Sequence, residues 1–307
     1  MAKALFTGPR FNDDEAARKH LEAIRWPTGA VCPHCGGLER NSKLNGESHR
    51  PGLYFCGDCR EQFTVTVGTV FERSKIPLHK WVLATHLLCS SKKGMSSHQL
   101  HRTLGITYKT AWFMAHRIRE AMNTMPTGLL GGGGGTVEAD ETYWGNQKGV
   151  KRGHGGYEHK NKIFALVERQ GGVRSFHVPA VNAKTLKSII REHVKPDTAI
   201  YTDELRVYRG LGKEFADHQT IKHSKGEYIR GVVHTNTIEG FFSLLKRGLI
   251  GTYHHVGEQH LKRYIKEFDF RYNHRKVTDT ERAASALKGI SGKRLTYRRI
   301  NTVREAS

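Results

Sequence analysis

The sequence predicts a multidomain α+β chain: a small metal-held ribbon, then a run of helices, then a mixed α/β domain. Three observations predict it. Two Cys-x2-Cys pairs, Cys32/Cys35 and Cys56/Cys59, lie near the start of the chain. A helical hydrophobic period takes over across residues 77–123. From residue 136 onward, three strand-like segments, a helix, a fourth strand-like segment and two amphipathic helices follow one another.

At 307 residues the chain is long enough for two or three cores. Lys and Arg number 50 against 29 acidic residues, a net charge of +21 that favours a polyanionic partner, with nucleic acid foremost. No apolar run is long enough to cross a bilayer, so no membrane partner is expected. The opening stretch MAKALFTGPRFNDDEA lacks the apolar core of a secretory signal, so a cytoplasmic, nucleoid-associated location is expected.

Residues 12–25 suit a short helix with Asn12 as its cap and acidic residues in its first turn. The paired knuckles follow, with 20 residues between Cys35 and Cys56. In a reducing compartment this spacing reads as a closed tetrahedral Zn²⁺ site with Cys32, Cys35, Cys56 and Cys59 as structural ligands. A redox dithiol would leave one pair unexplained. Phe55, Phe63, Val65, Val67 and Val70 are expected in strands that the metal holds together.

Residues 77–123 read as helix, helix, turn, helix, with Ser96 or Ser97 capping the second helix, Gly105 in the turn and Thr107 capping the third. Ala111, Trp112, Ala115 and Ile118 then face inward. That is a helix-turn-helix pattern, and Lys109, His116, Arg117 and Arg119 on its last helix are of types that meet bases and phosphates. The bland alternative is a helical linker with a solvated basic face. The unbroken glycine run 131–135 predicts a flexible joint.

Segments TVEADETYWG, KIFALVERQGG and VRSFHVPAV predict three strands joined by hairpins. A helix at NAKTLKSIIREHV and a strand at TAIYTDE complete a β-β-β-α-β-α order, the ribonuclease H pattern. The loop from Gln147 to Lys162 carries Lys148, Lys151 and Arg152, which can grip a DNA backbone or form a solvated tip. In HTNTIEGFFSLLKRGLIG, Ile238, Phe241, Phe242, Leu245 and Leu249 fall on one helical stripe, and Asn236, Glu239, Ser243 and Lys246 on another. Asn236 as cap and Glu239 closing a capping box would explain the polar stripe without function. The expected divisions are a helix with ribbon over 1–75, a helix-turn-helix over 76–126, a linker over 127–135, a catalytic domain over 136–282 and a loosely ordered basic tail over 283–307.

Asp140 in the first strand and Asp203 at the end of the fourth become neighbours in this strand order, and Glu239 follows with 35 residues between it and Asp203. Such carboxylates are expected to be ionised at pH 7, with ordinary pKa values near 4, and so to need a counterion. Hard oxygen ligands suit Mg²⁺ or Mn²⁺, and two such ions roughly 4 Å apart can drive phosphodiester displacement. Glu138, Glu141 and Glu204 are competing carboxylates, of which Glu138 shares Asp140's strand face.

From about residue 12 to 275, the chain resembles the ISXO2-like group of DDE-class insertion-sequence transposases, in the IS1595 family. The motifs that carry the likeness are RWPTGAVCPHCGG, FTVTVGTVFERSKIPLHKW, LGITYKTAWFMAHRIREAM, EADETYWG, YTDE and HTNTIEGFFSLLKRGLIGTYHHV. The resemblance implies a ribonuclease H-like catalytic domain, Asp140 and Asp203 as the first two ligands of Mg²⁺ or Mn²⁺, and Lys246 as a DNA-contacting lysine. Branches of the family differ in the third ligand, and both Glu239 and Asn236 stand as candidates. The implied activity is binding of terminal inverted repeats, cleavage at the element ends and joining of 3′-hydroxyls to target DNA, by a homodimer or larger assembly on double-stranded DNA. The competing readings are a DNA-binding regulator with an inactive catalytic domain and a stand-alone nuclease.

Overall fold

The computed structural model describes residues 6–124, 127–151 and 156–296. Two compact units divide the chain: one holds the stretch up to Ser91, Met95–Met122 and the stretch from Thr278 on, and the other holds Lys92–Gly94 and Asn123–Val277.

In the first unit, helix α1 spans Asp14–Arg25. Its cap is Asp13, which accepts from the Ala16 N–H at 2.7 Å, rather than Asn12, whose side chain donates to the Phe6 carbonyl. Strands β1 (Asn41–Leu44), β2 (Leu53–Cys56) and β3 (Gln62–Phe63) form an antiparallel sheet. On it Tyr54 and Phe63 stack, with Trp26 edge-on to both. The strand ends at Phe63. Val65 and Val70 are buried, as apolar residues should be, but they lie in turns. Gly68 there has φ +68°, and Thr69 bonds back to the Thr66 carbonyl, so the backbone cannot continue extended.

Helices α2 (Leu78–Ser90), α3 (Ser97–Leu104) and α4 (Tyr108–Met122) follow. Ser96 caps α3 and Gly105 ends it in the left-handed region. Thr107 Oγ1 accepts from the Thr110 N–H at 3.2 Å to start α4.

The second unit is built on a five-stranded sheet of order β6-β5-β4-β7-β8. Its strands are β4 (Thr136–Asn146), β5 (Lys160–Glu168), β6 (Val173–Val178), β7 (Ala199–Thr202) and β8 (Asp217–Thr220), with helix α5 (Ala183–His193) between β6 and β7. The first three strands are antiparallel, and β7 and β8 run parallel to β4. Val137, Ala139, Phe164, Leu166 and Ile200 pack with Leu186 and Ile190 of α5 on one face. A short hairpin, β9 (Ile229–Arg230) with β10 (Val233–His234), leads into helix α6 (Asn236–Gly248), which with α7 (Glu258–Asn273) covers the other face.

The glycine run is not the free joint that its composition predicts. Leu130 pairs with Val194 in a β-bridge, and the N–H groups of Gly131, Gly132 and Gly133 donate to Glu168, Thr198 and Asp197. Gly131 to Gly134 all have positive φ, and a Cβ on Gly131 would sit 2.3 Å from the Thr198 hydroxyl, so glycine serves a pinned turn here. The expected tail is also partly a helix. α8 (Asp279–Lys288) opens with a Thr278–Glu281 capping box and packs in the first unit against α2. Residues 297–307 lie outside the described part.

Candidate functional site

The cysteine knuckles are built alike. Gly36 and Arg60, each with positive φ, follow Cys35 and Cys59 and donate to the carbonyls of Cys32 and Cys56 at 2.9 Å. These turns bring all four sulfurs within 4.8 Å of one another, with Cys32–Cys59 and Cys35–Cys56 separations of 3.6 Å. A tetrahedron with Zn–S near 2.3 Å has sulfurs about 3.8 Å apart, so the donor set fits zinc. The Cys59 backbone N–H, pointing at Cys56, draws that thiol down to about 7, whereas Cys59, against the pull of the Glu61 N–H, is pushed up to about 12 by burial and the neighbouring thiols, so the four sulfurs do not ionise together without a cation.

The second cluster lies in the sheet unit. Asp140 and Glu141 on β4 and Asp203, just past β7, place one carboxylate oxygen each within 4.8 Å of the others. The parallel pairing of β4 with β7, Glu138 opposite Tyr201, sets Asp140, midway along β4, level with Asp203 just past the end of β7. Burial, then the charges of Glu141 and Asp203, push Asp140 up to about 8. Burial likewise pushes Glu141 to about 7, although the Tyr208 hydroxyl donates to it at 2.7 Å. Asp203 is also raised by burial, against the pull of the Leu205 N–H and His223. For Asp140 and Asp203 the expectation of ordinary values near 4 is therefore wrong: desolvation and repulsion favour protons unless a cation replaces them. Three half-buried hard oxygen donors are a fitting set for Mg²⁺ or Mn²⁺.

Glu239 stands outside that set of three, although its charge contributes to raising Asp140. Its Oε1 accepts from the Thr235 hydroxyl at 2.8 Å and lies 3.6 Å from His223 Nε2. The cap position of α6 is Thr235, not Asn236, which is its first residue and is exposed. Lys246, two turns beyond Glu239, is exposed on the same helix. The apolar stripe is buried as the sequence predicts, with Ile238, Phe241, Phe242, Leu245 and Leu249 all within the core.

Glu138 shares the face of Asp140 but turns away from the cluster. It is fully buried, pairs with Arg169 at 2.8 Å, and accepts the Ile238 N–H at 2.9 Å. Glu204 binds Ser224 on the surface. Glu141 is the acid that sequence reasoning passed over, because strand alternation puts it on the opposite face from Asp140. The signal available was adjacency: a second acid immediately beside Asp140 in the same strand.

Among the residues expected to meet DNA, Lys109 and Lys151 are exposed, and Arg152 lies outside the described residues. Arg119 is 1% exposed and His116 also 1%, so neither is on an outer basic face. Arg119 falls at offset 8 from Ala111, on the same helical stripe as Ala115, Ile118 and Met122. Arg117 is half-buried, donating to the carbonyls of Glu72 and Leu295 at 3.2 Å and lying over the Phe113 ring. No helix among the described residues is long and apolar enough to cross a membrane.

Comparison with known proteins gives two family matches, to an ISXO2-like transposase domain over residues 132–273 and to a transposase zinc-ribbon domain over residues 12–62. A protein of Halobacterium salinarum, described as an uncharacterized protein in transposable element ISH50, is 31% identical over 280 residues, covering 85% of this chain and 91% of that one. An uncharacterized transposase-like protein of Haemophilus influenzae is 35% identical over 100 residues, 33% of this chain and 80% of its own.

Proposed function

Because the chain belongs to the ISXO2-like transposases of the IS1595 family, we propose that it binds the terminal inverted repeats of its element, cleaves at the element ends and joins the freed 3′-hydroxyls to target DNA. The observation that carries this reading is the convergence of Asp140, within β4, and Asp203, just past the end of the adjacent parallel strand β7. On this reading Asp140 and Asp203 hold Mg²⁺ or Mn²⁺, with Glu239 as third ligand, Asn236 as the alternative and Glu141 beside them. The ion supplies charge that activates the attacking oxygen and stabilises the leaving one.

The chain's own groups do the rest. Tyr208 orients Glu141 by donating to it. Glu239 reaches the cluster by leaving the Thr235 hydroxyl, a side-chain rotation on the exposed face of α6. Lys246 contacts a phosphate of the bound strand. The ribbon and the α3–α4 pair, a helix-turn-helix on this reading, bind duplex DNA through Lys109 and neighbouring surface, and Lys151 and Arg152 add backbone contacts. The net charge of +21 supports such a partner. The active form is a dimer or larger assembly on DNA, in the cytoplasm at the nucleoid.

The experiment incubates purified protein with Mg²⁺, a duplex carrying one element end and a supercoiled target plasmid. Covalent joining of the 3′ end to the plasmid is expected. Specific binding without nicking or joining would favour a DNA-binding regulator, and nicking without end specificity a stand-alone nuclease.

A further inference from the structure

Arg169, directly after β5, touches three segments at once. Its Nε donates to Glu138 Oε1 at 2.8 Å, its two terminal nitrogens donate to the carbonyls of Val232 and His234 at 2.7 and 2.9 Å, and its guanidinium lies 4.8 Å from the centre of the Tyr201 ring. Each of three of these partners precedes a candidate ligand by two residues. Glu138 precedes Asp140 on β4, Tyr201 precedes Asp203 at the end of β7, and His234 precedes Asn236 at the start of α6.

Glu138 extends the junction. It is fully buried, and besides Arg169 it accepts from the Thr237 hydroxyl and the Ile238 N–H, both at 2.9 Å. Helix α6 has no side-chain cap of its own, since the Thr235 hydroxyl is turned to Glu239. Its first turn is therefore capped by an acid 100 residues away in the chain. A local cap would satisfy the helix end without fixing its place. A cap delivered from β4 ties that end to the strand that carries Asp140. The negative charge also suits a helix N-terminus, and Arg169 balances it in a desolvated setting.

We propose that Glu138 and Arg169 are positioning residues that set the spacing of the Asp140, Asp203 and Asn236/Glu239 segments before metal or DNA enters. This rests on the reading above, that Asp140 and Asp203 hold a divalent ion. Arg169 needs its planar fork for the role: a lysine keeps the charge but cannot reach two carbonyls and a carboxylate together.

The test compares Arg169→Lys, Glu138→Gln and Asp140→Ala with the parent in the full chain. Mn²⁺ affinity of the DNA-free protein is read by electron paramagnetic resonance, with melting temperature, amide exchange at Ile238 and single-turnover cleavage alongside. For Arg169→Lys and Glu138→Gln, Mn²⁺ affinity and cleavage are expected to fall ~10- to 100-fold at temperatures well below melting, with faster exchange at Ile238. Thr237→Val removes one hydrogen bond to Glu138 from a half-buried position, and a fall of about 3-fold in Mn²⁺ affinity is expected even should the stronger variants not fold. Parent-like Mn²⁺ affinity in Thr237→Val and Arg169→Lys overturns the proposal, as does a loss that disappears on cooling. If Asp140→Ala itself binds Mn²⁺ like the parent, the metal-site reading fails instead.

Discussion

The Thr235 hydroxyl donates to Glu239 Oε1 at 2.8 Å, so the side chain of the cap residue of α6 is bonded to the candidate third ligand and not to the helix backbone. Asn236 makes no capping bond. Asn236→Ala is accordingly expected to change stability by less than about 0.5 kcal/mol, and Glu239→Gln to abolish cleavage while melting near the parent. An inactive but stable Asn236→Ala beside an active Glu239→Gln would transfer the third ligand to Asn236.

Asp140, raised to about 8, and Glu141, raised to about 7, give the metal-free protein a pH dependence of defined sign. A raised folded pKa means that the native state holds protons that the unfolded chain releases near pH 4, so this contribution is complete below about pH 4 and is lost as pH rises toward 8. Asp140→Asn cannot ionise. Without metal it should melt higher than the parent at pH 8, with the gap closing toward pH 4, and Mg²⁺ should raise the parent's melting temperature more at pH 8 than at pH 5. A gap that widens on acidification would contradict these shifts.

One zinc per chain is expected, and Cys56→Ser should lose it. Because Cys56 anchors both a knuckle and the end of β2, the loss should unfold the ribbon sheet. Retained zinc with an unchanged ribbon, by elemental analysis and near-ultraviolet circular dichroism, would refute a four-cysteine structural site.

Lys109 and Arg119 should part company. Lys109 is exposed, and Lys109→Ala is expected to weaken duplex binding and reduce the salt slope by about 1 without changing stability. Arg119 is interior, and Arg119→Ala should cost about 2 to 4 kcal/mol of stability. Equal effects of the two on DNA binding, at equal stability, would show that burial does not separate their roles.

The zinc knuckles and the two stripes of α6 were legible because each is written in local spacing: two residues between cysteines, and three or four between apolar side chains. The pairing of Asp140 with Asp203 was legible because strand order alone makes their strands adjacent. Strand β8 was not, since Asp217–Thr220 holds no apolar residue and is half-buried throughout, leaving no alternation to read. Residue-level roles depended on contacts distant in sequence. The burial of Arg119 was written in its place on the apolar stripe of α4 and was hidden only by its charge, whereas nothing local marks Glu138 as the cap of a helix 100 residues on. The pKa values were missed for the same reason, because desolvation comes from packing.

The central claim, that Asp140 and Asp203 form a divalent-metal site for DNA strand cleavage, is tested most directly by metal-dependent nicking of an element-end duplex by the parent, Asp140→Asn and Asp203→Asn. Nicking by the parent in Mg²⁺ or Mn²⁺, none in chelator, and at least a ~100-fold loss in each variant with DNA affinity retained is the predicted result. Nicking that survives either substitution, or that proceeds in chelator, would contradict it.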